Sequence, residues 1–248
     1  RKLDIFSGEL VIHYVFDLGE KGEVLVENRR FASMAQTNLF AQSLRVQFLD
    51  GRNRQVKIKT GINGQMTNSG VSHFHTSTAR VYDKEIMEIR SELENGTVTE
   101  AVGCKVVCGV QKEKEFNLKR RSVYGTYAVI PEDKEVIFEK VTFADQGEDG
   151  ITTEERKQAL ATALNKGYDV LLEEQQAKMK EFWDVTRVHV DGMSEAEEAA
   201  VCFAQYHILG MTPWHTNESS IAAKGLTGEG YKGHVFWDTE IFLFPMLL

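Results

Sequence analysis

An antiparallel β-sandwich followed by α-helices is the fold class that the sequence predicts, on three observations. Up to about residue 150, runs rich in Val, Ile, Leu, Tyr and Phe are separated by short turns. Asn95-Gly96 supplies the strongest hairpin signal, because a type I′ turn needs positive φ at both central residues. Near Gly150 the hydrophobic period changes from two to that of a helix. No repeat of roughly 20–50 residues is present.

Taken in order, Glu9 to Asp17 and Glu23 to Phe31 read as strands, with Gly19 and Gly22 between them. Leu39 to Phe48 precedes a turn at Asp50-Gly51, after which Val56, Ile58 and Thr60 occupy alternate positions. Beyond Asn95-Gly96, Val98, Val102, Cys104, Val106 and Cys108 share one parity, the pattern of a strand with one buried face. Tyr124 to Ile130 and Val136 to Phe143 continue in the same style, which places a β-domain over residues 1–150, incomplete at its start. Thr152 or Thr153 then caps a helix with Glu154 and Glu155 in its first turn, favourable against the helix dipole. Leu160, Ala163 and Leu164 follow at helical spacing, and after Gly167 so do Tyr168, Leu171, Leu172, Met179, Phe182 and Trp183. With the extended Val188 to Val190, these make a helical linker over 151–193. Ser194 with Glu197 is a capping box, and Ala200, Phe203, Tyr206 and His207 form an apolar stripe. Residues 194–248 therefore read as the opening of an α-helical domain.

With 248 residues, 42% of them hydrophobic, the chain is long enough for a substantial core. A formal net charge of -8 opposes tracking a phosphate backbone, so nucleic acid is excluded as a partner. No apolar run approaches the roughly 20 residues that span a bilayer, and no signal-peptide pattern opens the chain. A soluble protein without membrane partners is expected. Cys104 and Cys108 stand about 13 Å apart on an extended strand, too far for a disulfide. Few, scattered thiols fit a reducing cytoplasm. The chain starts at Arg1 and ends on the apolar run Ile241 to Leu248, which suggests a piece of a longer polypeptide.

The most unusual segment runs from Ala223 to Glu240, AKGLTGEGYKGHVFWDTE. Gly225, Gly228, Gly230 and Gly233 rule out a regular helix and bring backbone close to a bound molecule. They lead into Phe236-Trp237-Asp238, a pattern that suits a sugar. An aromatic ring covers an apolar sugar face, and a carboxylate accepts hydroxyl hydrogen bonds. No nucleotide-binding glycine fingerprint or P-loop is present.

This segment resembles the signature of glycoside hydrolase family 65, the maltose, trehalose and kojibiose phosphorylases. Lys224 to Tyr231 and His234 to Glu240 carry the resemblance. Asn28-Arg29-Arg30-Phe31, Ser33-Met34, Gly61 to Gln65, and Thr67 to Gly70 resemble landmarks of its β-domain. Gly167, Tyr168 and Leu171-Leu172 through Trp183 resemble its connecting helices. The resemblance implies an N-terminal super β-sandwich, linker helices and the first part of an (α/α)6 catalytic barrel. It implies phosphorolysis of an α-linked glucosyl disaccharide, with inversion, to β-glucose 1-phosphate. Phe236, Trp237 and Asp238 would bind the glucosyl ring. The family's general acid, a Glu, and its phosphate ligands fall later in the barrel, so no catalytic residue is assigned within this chain. Inorganic phosphate is the co-substrate; no cofactor or metal is implied, and a homodimer is. The alternatives are a hydrolase of the same family and a non-catalytic carbohydrate-binding β-sandwich module.

Plainer readings compete at single residues. Trp237 can be a core aromatic, and Asp238 a helix cap. Glu240 and Glu229 read as a helix-start charge and a loop hydrogen bond, and His234 as a loop-bracing side chain. His73 and His75 would share a strand face and could chelate a metal, but spacing suggests no third ligand. Lys112 to Arg121 reads as a solvated strand or loop, and Trp214 with His215 as loop packing or the edge of the barrel mouth.

Overall fold

The alternating segments form strands and the 3.6-period segments form helices in the computed structural model, which describes residues 1–94, 96–147, 151–217, 219–225, 228 and 230–243. The strands are β1 (Lys2–Asp4), β2 (Glu9–Asp17), β3 (Glu23–Ala32), β4 (Leu39–Phe48), β5 (Val56–Asn63), β6 (Thr76–Tyr82), β7 (Ile86–Leu93), β8 (Gly96–Cys108), β9 (Val110–Lys119), β10 (Ser122–Ile130) and β11 (Glu135–Gln146). The helices are α1 (Thr153–Lys166), α2 (Tyr168–Thr186) and α3 (Glu195–Met211). The chain forms two units, Arg1–Lys178 and Met179–Leu248.

In the first unit, eight strands pair in the order β1-β2-β3-β4-β11-β8-β7-β6 and three in the order β5-β10-β9. Every strand pairing is antiparallel. Asn95 lies outside the described residues, but the hairpin it marks joins β7 to β8, with Leu93 opposite Gly96. The two sheets enclose one apolar core. Val24, Val46, Phe48, Met87, Val102 and Phe138 from the larger sheet meet Ile58, Ile62, Val123, Tyr127 and Val129 from the smaller. The Tyr127 and Phe138 rings meet edge to face at 4.9 Å, a geometry that matches ring edge to ring face. The cysteines are free, as their spacing predicts, and burial pushes the Cys104 thiol up to about 11.

Helices cover the other face of the larger sheet. Phe31, Leu39, Ala41, Ala101, Val141 and Phe143 pack with Leu160, Ala163, Tyr168, Leu171 and Leu172. At Gly103 a Cβ would come within 2.8 Å of Leu164 Cδ1, so any larger residue there would make that side chain of α1 shift. The single buried face expected for the β8 segment is therefore a partial reading. Ala101 and Val102 are both 0% exposed, one facing α1 and the other the inter-sheet core. A register shift between Ile137 and Phe138 on β11 also breaks the parity expected to continue to Cys108.

Polar contacts fix the helices in place. Arg156 is buried; its Nε donates to Glu88 at 3.1 Å and its guanidinium also pairs with Asp145 at 3.1 Å. Arg29 donates to Glu9 at 2.7 Å and to Asp169 at 2.9 Å, and lies 4.8 Å from the Tyr168 ring centroid. Gln175 accepts from Met34 N at 2.6 Å and donates to Ser7 O at 3.0 Å, satisfying two loop backbones at once. Thr152 is the α1 cap, forming a capping box with Glu155, and Ser194 and Glu197 form the expected one at α3. In the second unit Gln205 ties the extended link to α3, donating to Thr186 O at 2.5 Å and accepting from Val188 N at 3.4 Å.

Two expectations are settled by position. His73 and His75 lie exposed in the loop before β6, not on a strand face. Lys112 to Arg121 falls largely on β9, an exposed edge strand, as the solvated reading expects.

Candidate functional site

The glycine-rich segment belongs to the second unit. Past α3, the Trp214 indole N–H donates to Leu209 O at 3.1 Å, which packs this loop against the end of the helix it has just left. Ile221, 4% exposed, then anchors the chain. The segment closes on itself: Ala223 N donates to His234 O at 3.2 Å, and Thr239 Oγ1 donates to Ile221 O at 3.4 Å. His234 also donates through its backbone to Tyr231 O at 3.0 Å. It therefore braces the loop by its main chain, whereas the plainer expectation gave that part to its side chain.

Glycine is required at one point in particular. Gly225 has φ 54°, and a Cβ there would lie 1.9 Å from Met211 Sδ. Between Gly230 and Gly233 the chain makes a tight turn in which Tyr231 (φ 60°, ψ 10°) and Lys232 (φ 52°, ψ 32°) both take left-handed backbone. The Tyr231 ring meets the Phe236 ring edge to face, 5.4 Å apart at 75°, and the Lys224 ammonium lies 5.6 Å from the Tyr231 centroid.

Phe236, Trp237 and Asp238 follow directly. Thr239 N donates to Phe236 O at 3.1 Å, starting the helical turn that continues through Thr239–Leu243. The described residues leave Trp237 82% exposed, so it does not pack as a core aromatic among them. Asp238 is exposed, and its carboxylate has no hydrogen-bond or ion-pair partner among the described residues, a capping bond included. The three side chains expected to meet a glucosyl ring thus stand consecutively on one turn. Glu240 is exposed beside them, whereas Glu229 and the terminal residues 244–248 lie outside the described residues. Sequence reasoning missed the brace formed by Tyr231 and Lys224. Two non-glycine residues enclosed between Gly230 and Gly233 were the available signal.

A separate pocket of about 360 Å³ lies on the outer face of the three-stranded sheet, lined among others by Lys59, Glu115, Asn117, Tyr124 and Thr126. The described residues contain no group of three His, Cys, Asp or Glu side chains able to hold a metal, and no helix long and apolar enough to cross a membrane.

Comparisons with known proteins bear on the whole chain. The family described as "Glycosyl hydrolase family 65, N-terminal domain" matches residues 1–182, and "Glycosyl hydrolase family 65 central catalytic domain" matches residues 202–248. The chain is 33% identical to kojibiose phosphorylase of Escherichia coli (strain K12), over 100% of this chain and 34% of that protein. It is 26% identical to nigerose phosphorylase of Lachnoclostridium phytofermentans, over 92% of this chain and 33% of that protein. A solved structure titled "Putative kojibiose phosphorylase from human microbiome" superposes with a TM-score of 0.86 at 18% identity, covering 98% of this chain and 32% of the other. That likeness shows the fold. The chain spans about a third of the length of the curated relatives it matches.

Proposed function

The chain belongs to glycosyl hydrolase family 65, and on that premise we propose that the protein carrying it is an inverting phosphorylase of α-linked glucosyl disaccharides. The observation that carries this reading is the Phe236-Trp237-Asp238 turn, with an exposed indole beside a carboxylate that has no partner among the described residues. The aromatic rings cover an apolar face of the non-reducing glucosyl ring, and Asp238 accepts from its hydroxyls. Residues 1–150 are the β-sandwich domain, 151–193 the linker, and 194–248 the opening of an (α/α)6 barrel.

In the proposed reaction a phosphate oxygen attacks the anomeric carbon from the face opposite the glycosidic oxygen. The carbon–oxygen bond breaks as an acid protonates the leaving sugar, and β-glucose 1-phosphate results. Phosphate takes the place of the base-activated water of an inverting hydrolase, so no metal or organic cofactor is needed. The acid and the phosphate ligands belong to parts of the protein outside these residues. A cytoplasmic location, to which the free thiols lend support, and a homodimer complete the proposal.

The test is to incubate the full-length protein with kojibiose, nigerose, trehalose or maltose, with and without phosphate, and to follow products by NMR. Phosphate-dependent β-glucose 1-phosphate from one of them is the expected result. Glucose released at the same rate without phosphate would make the protein a hydrolase of the family. Sugar binding without turnover would make it a binding module.

A further inference from the structure

We propose that Tyr231 is a positioning residue of the glucosyl pocket, its ring holding Phe236 and thereby the turn that presents Trp237 and Asp238. This rests on the reading of those three residues as the glucosyl site. Two independent observations place Tyr231 in the role. The first is backbone geometry. Position 231 has φ 60° and ψ 10°, a left-handed conformation that glycine and asparagine adopt readily and an aromatic residue does not. With glycines at 230 and 233, the turn has permissive residues at its ends and a tyrosine where the constraint falls. Paired left-handed positions also occur at Asp83-Lys84 and Asp133-Lys134, but among the described residues Tyr231 is the one aromatic residue with positive φ.

The second observation is what the ring touches. Tyr231 is 59% exposed, so burial does not account for it. One partner is the Phe236 ring, edge to face at 5.4 Å; the other is the Lys224 ammonium at 5.6 Å. Lys224 lies at the start of the closed loop and Phe236 just past its end, the loop being tied by Ala223 N to His234 O at 3.2 Å. The ring therefore links both ends of the loop and sets the position of the residue immediately before Trp237-Asp238. An aromatic pair lowers the entropy that the pocket loses on closing around a sugar, because Phe236 is already held in the free protein.

The experiment uses the full-length enzyme and a disaccharide that the wild type cleaves. Tyr231→Asn keeps a residue that accepts left-handed backbone but removes the ring. The expected result is a rise of about three- to tenfold in KM for the disaccharide, with KM for phosphate and the melting temperature unchanged. Tyr231→Phe, which retains both ring contacts, is expected to stay within about twofold of wild type. If Tyr231→Asn does not fold, Tyr231→Gly, compatible with the same φ, carries the same expectation. A disaccharide KM within twofold of wild type in the ring-less variant overturns the proposal. So does an equal rise in both KM values, and so does failure of Tyr231→Phe to restore KM. Absence of phosphorolysis in the wild type would instead reject the functional reading on which the proposal stands.

Discussion

Asp238 and Arg156 show two opposite uses of a charged side chain. Asp238 has no partner among the described residues, so replacing it by Asn should leave the fold alone. If it accepts from glucosyl hydroxyls, Asp238→Asn removes the charge and turns one acceptor into a donor. A charge-assisted hydrogen bond contributes about 1.5–3 kcal/mol, so kcat/KM of the full-length enzyme should fall roughly ten- to a hundredfold at an unchanged melting temperature. Near-normal kinetics would refute the sugar contact. Arg156 is the reverse case, 5% exposed and held between Glu88 and Asp145, with Tyr82 OH also donating to Glu88 at 3.1 Å. Arg156→Leu strands two buried carboxylates, and loss of one partner from such a cluster costs about 3–5 kcal/mol. Urea unfolding of the chain should show a loss of that size; a loss below about 1 kcal/mol would mean that water replaces the guanidinium. The triplet at 236–238 stands out in the sequence as a candidate because adjacent aromatic and carboxylate residues after a glycine run have few structural uses. Arg156 does not, because between Glu155 and Lys157 it reads as one more solvated helix charge, and Glu88 is 68 residues away.

The helices announce their starts in local chemistry: of the two threonines expected to cap α1 it is Thr152 that does so, within a capping box, and the box expected at α3 forms. Backbone hydrogen bonds from Thr152 and Ser194, followed by the bonds to their hydroxyls, hold the Glu155 and Glu197 carboxyls below the usual carboxylate range. A depressed pKa adds stability that is present above the ordinary carboxylate pKa and disappears as pH falls through the folded-state value. The double variant Glu155→Gln/Glu197→Gln should therefore melt below wild type at pH 7, with the gap closing as the pH is lowered to about 3. Circular dichroism melts across that range provide the check, and a gap that persists at the acid end would show that charge is not the cause. Strands were legible where one face alone is buried or apolar residues dominate, as in β2 and β4. β7 escaped notice because Ile86, Met87, Glu88 and Ile89 are all buried, the sheet having core on one side and α1 on the other, so no alternation is visible. β6 escaped for the opposite reason, and β9 read only as a solvated strand or loop for the same one. They are edge strands with mixed or charged residues, which discourage pairing with a further strand and resemble loops in composition.

At the scale of the whole chain, a glucosyl site and a catalytic centre are different requirements. The sequence locates residues suited to the first. The Tyr231 brace escaped it because left-handed backbone at a non-glycine residue leaves no mark in composition. For the second, the inverting phosphorolysis proposed above needs an acid held at the glycosidic oxygen, and that proposal places the acid outside these residues. Glu88 is paired with Arg156, and Glu139 accepts from Tyr168 N at 3.1 Å. Burial raises the Glu100 carboxyl, but its strand register places it on the face of Val102 and Cys104, toward the inter-sheet core. All three belong to the first unit. In the second, Asp238 and Glu240 are exposed and Glu198 pairs with Arg187 at 2.6 Å. A positioned acid typically contributes about 10²–10⁴-fold to rate, and phosphate bound in line contributes a further effective concentration. The 248-residue polypeptide alone should therefore produce no detectable glucose 1-phosphate from kojibiose, nigerose, trehalose or maltose with phosphate. The full-length protein should produce it under the same conditions. Glucose 1-phosphate from the purified polypeptide, shown free of host phosphorylase by a matched preparation of the Asp238→Asn variant, would mean that the acid resides within these residues after all.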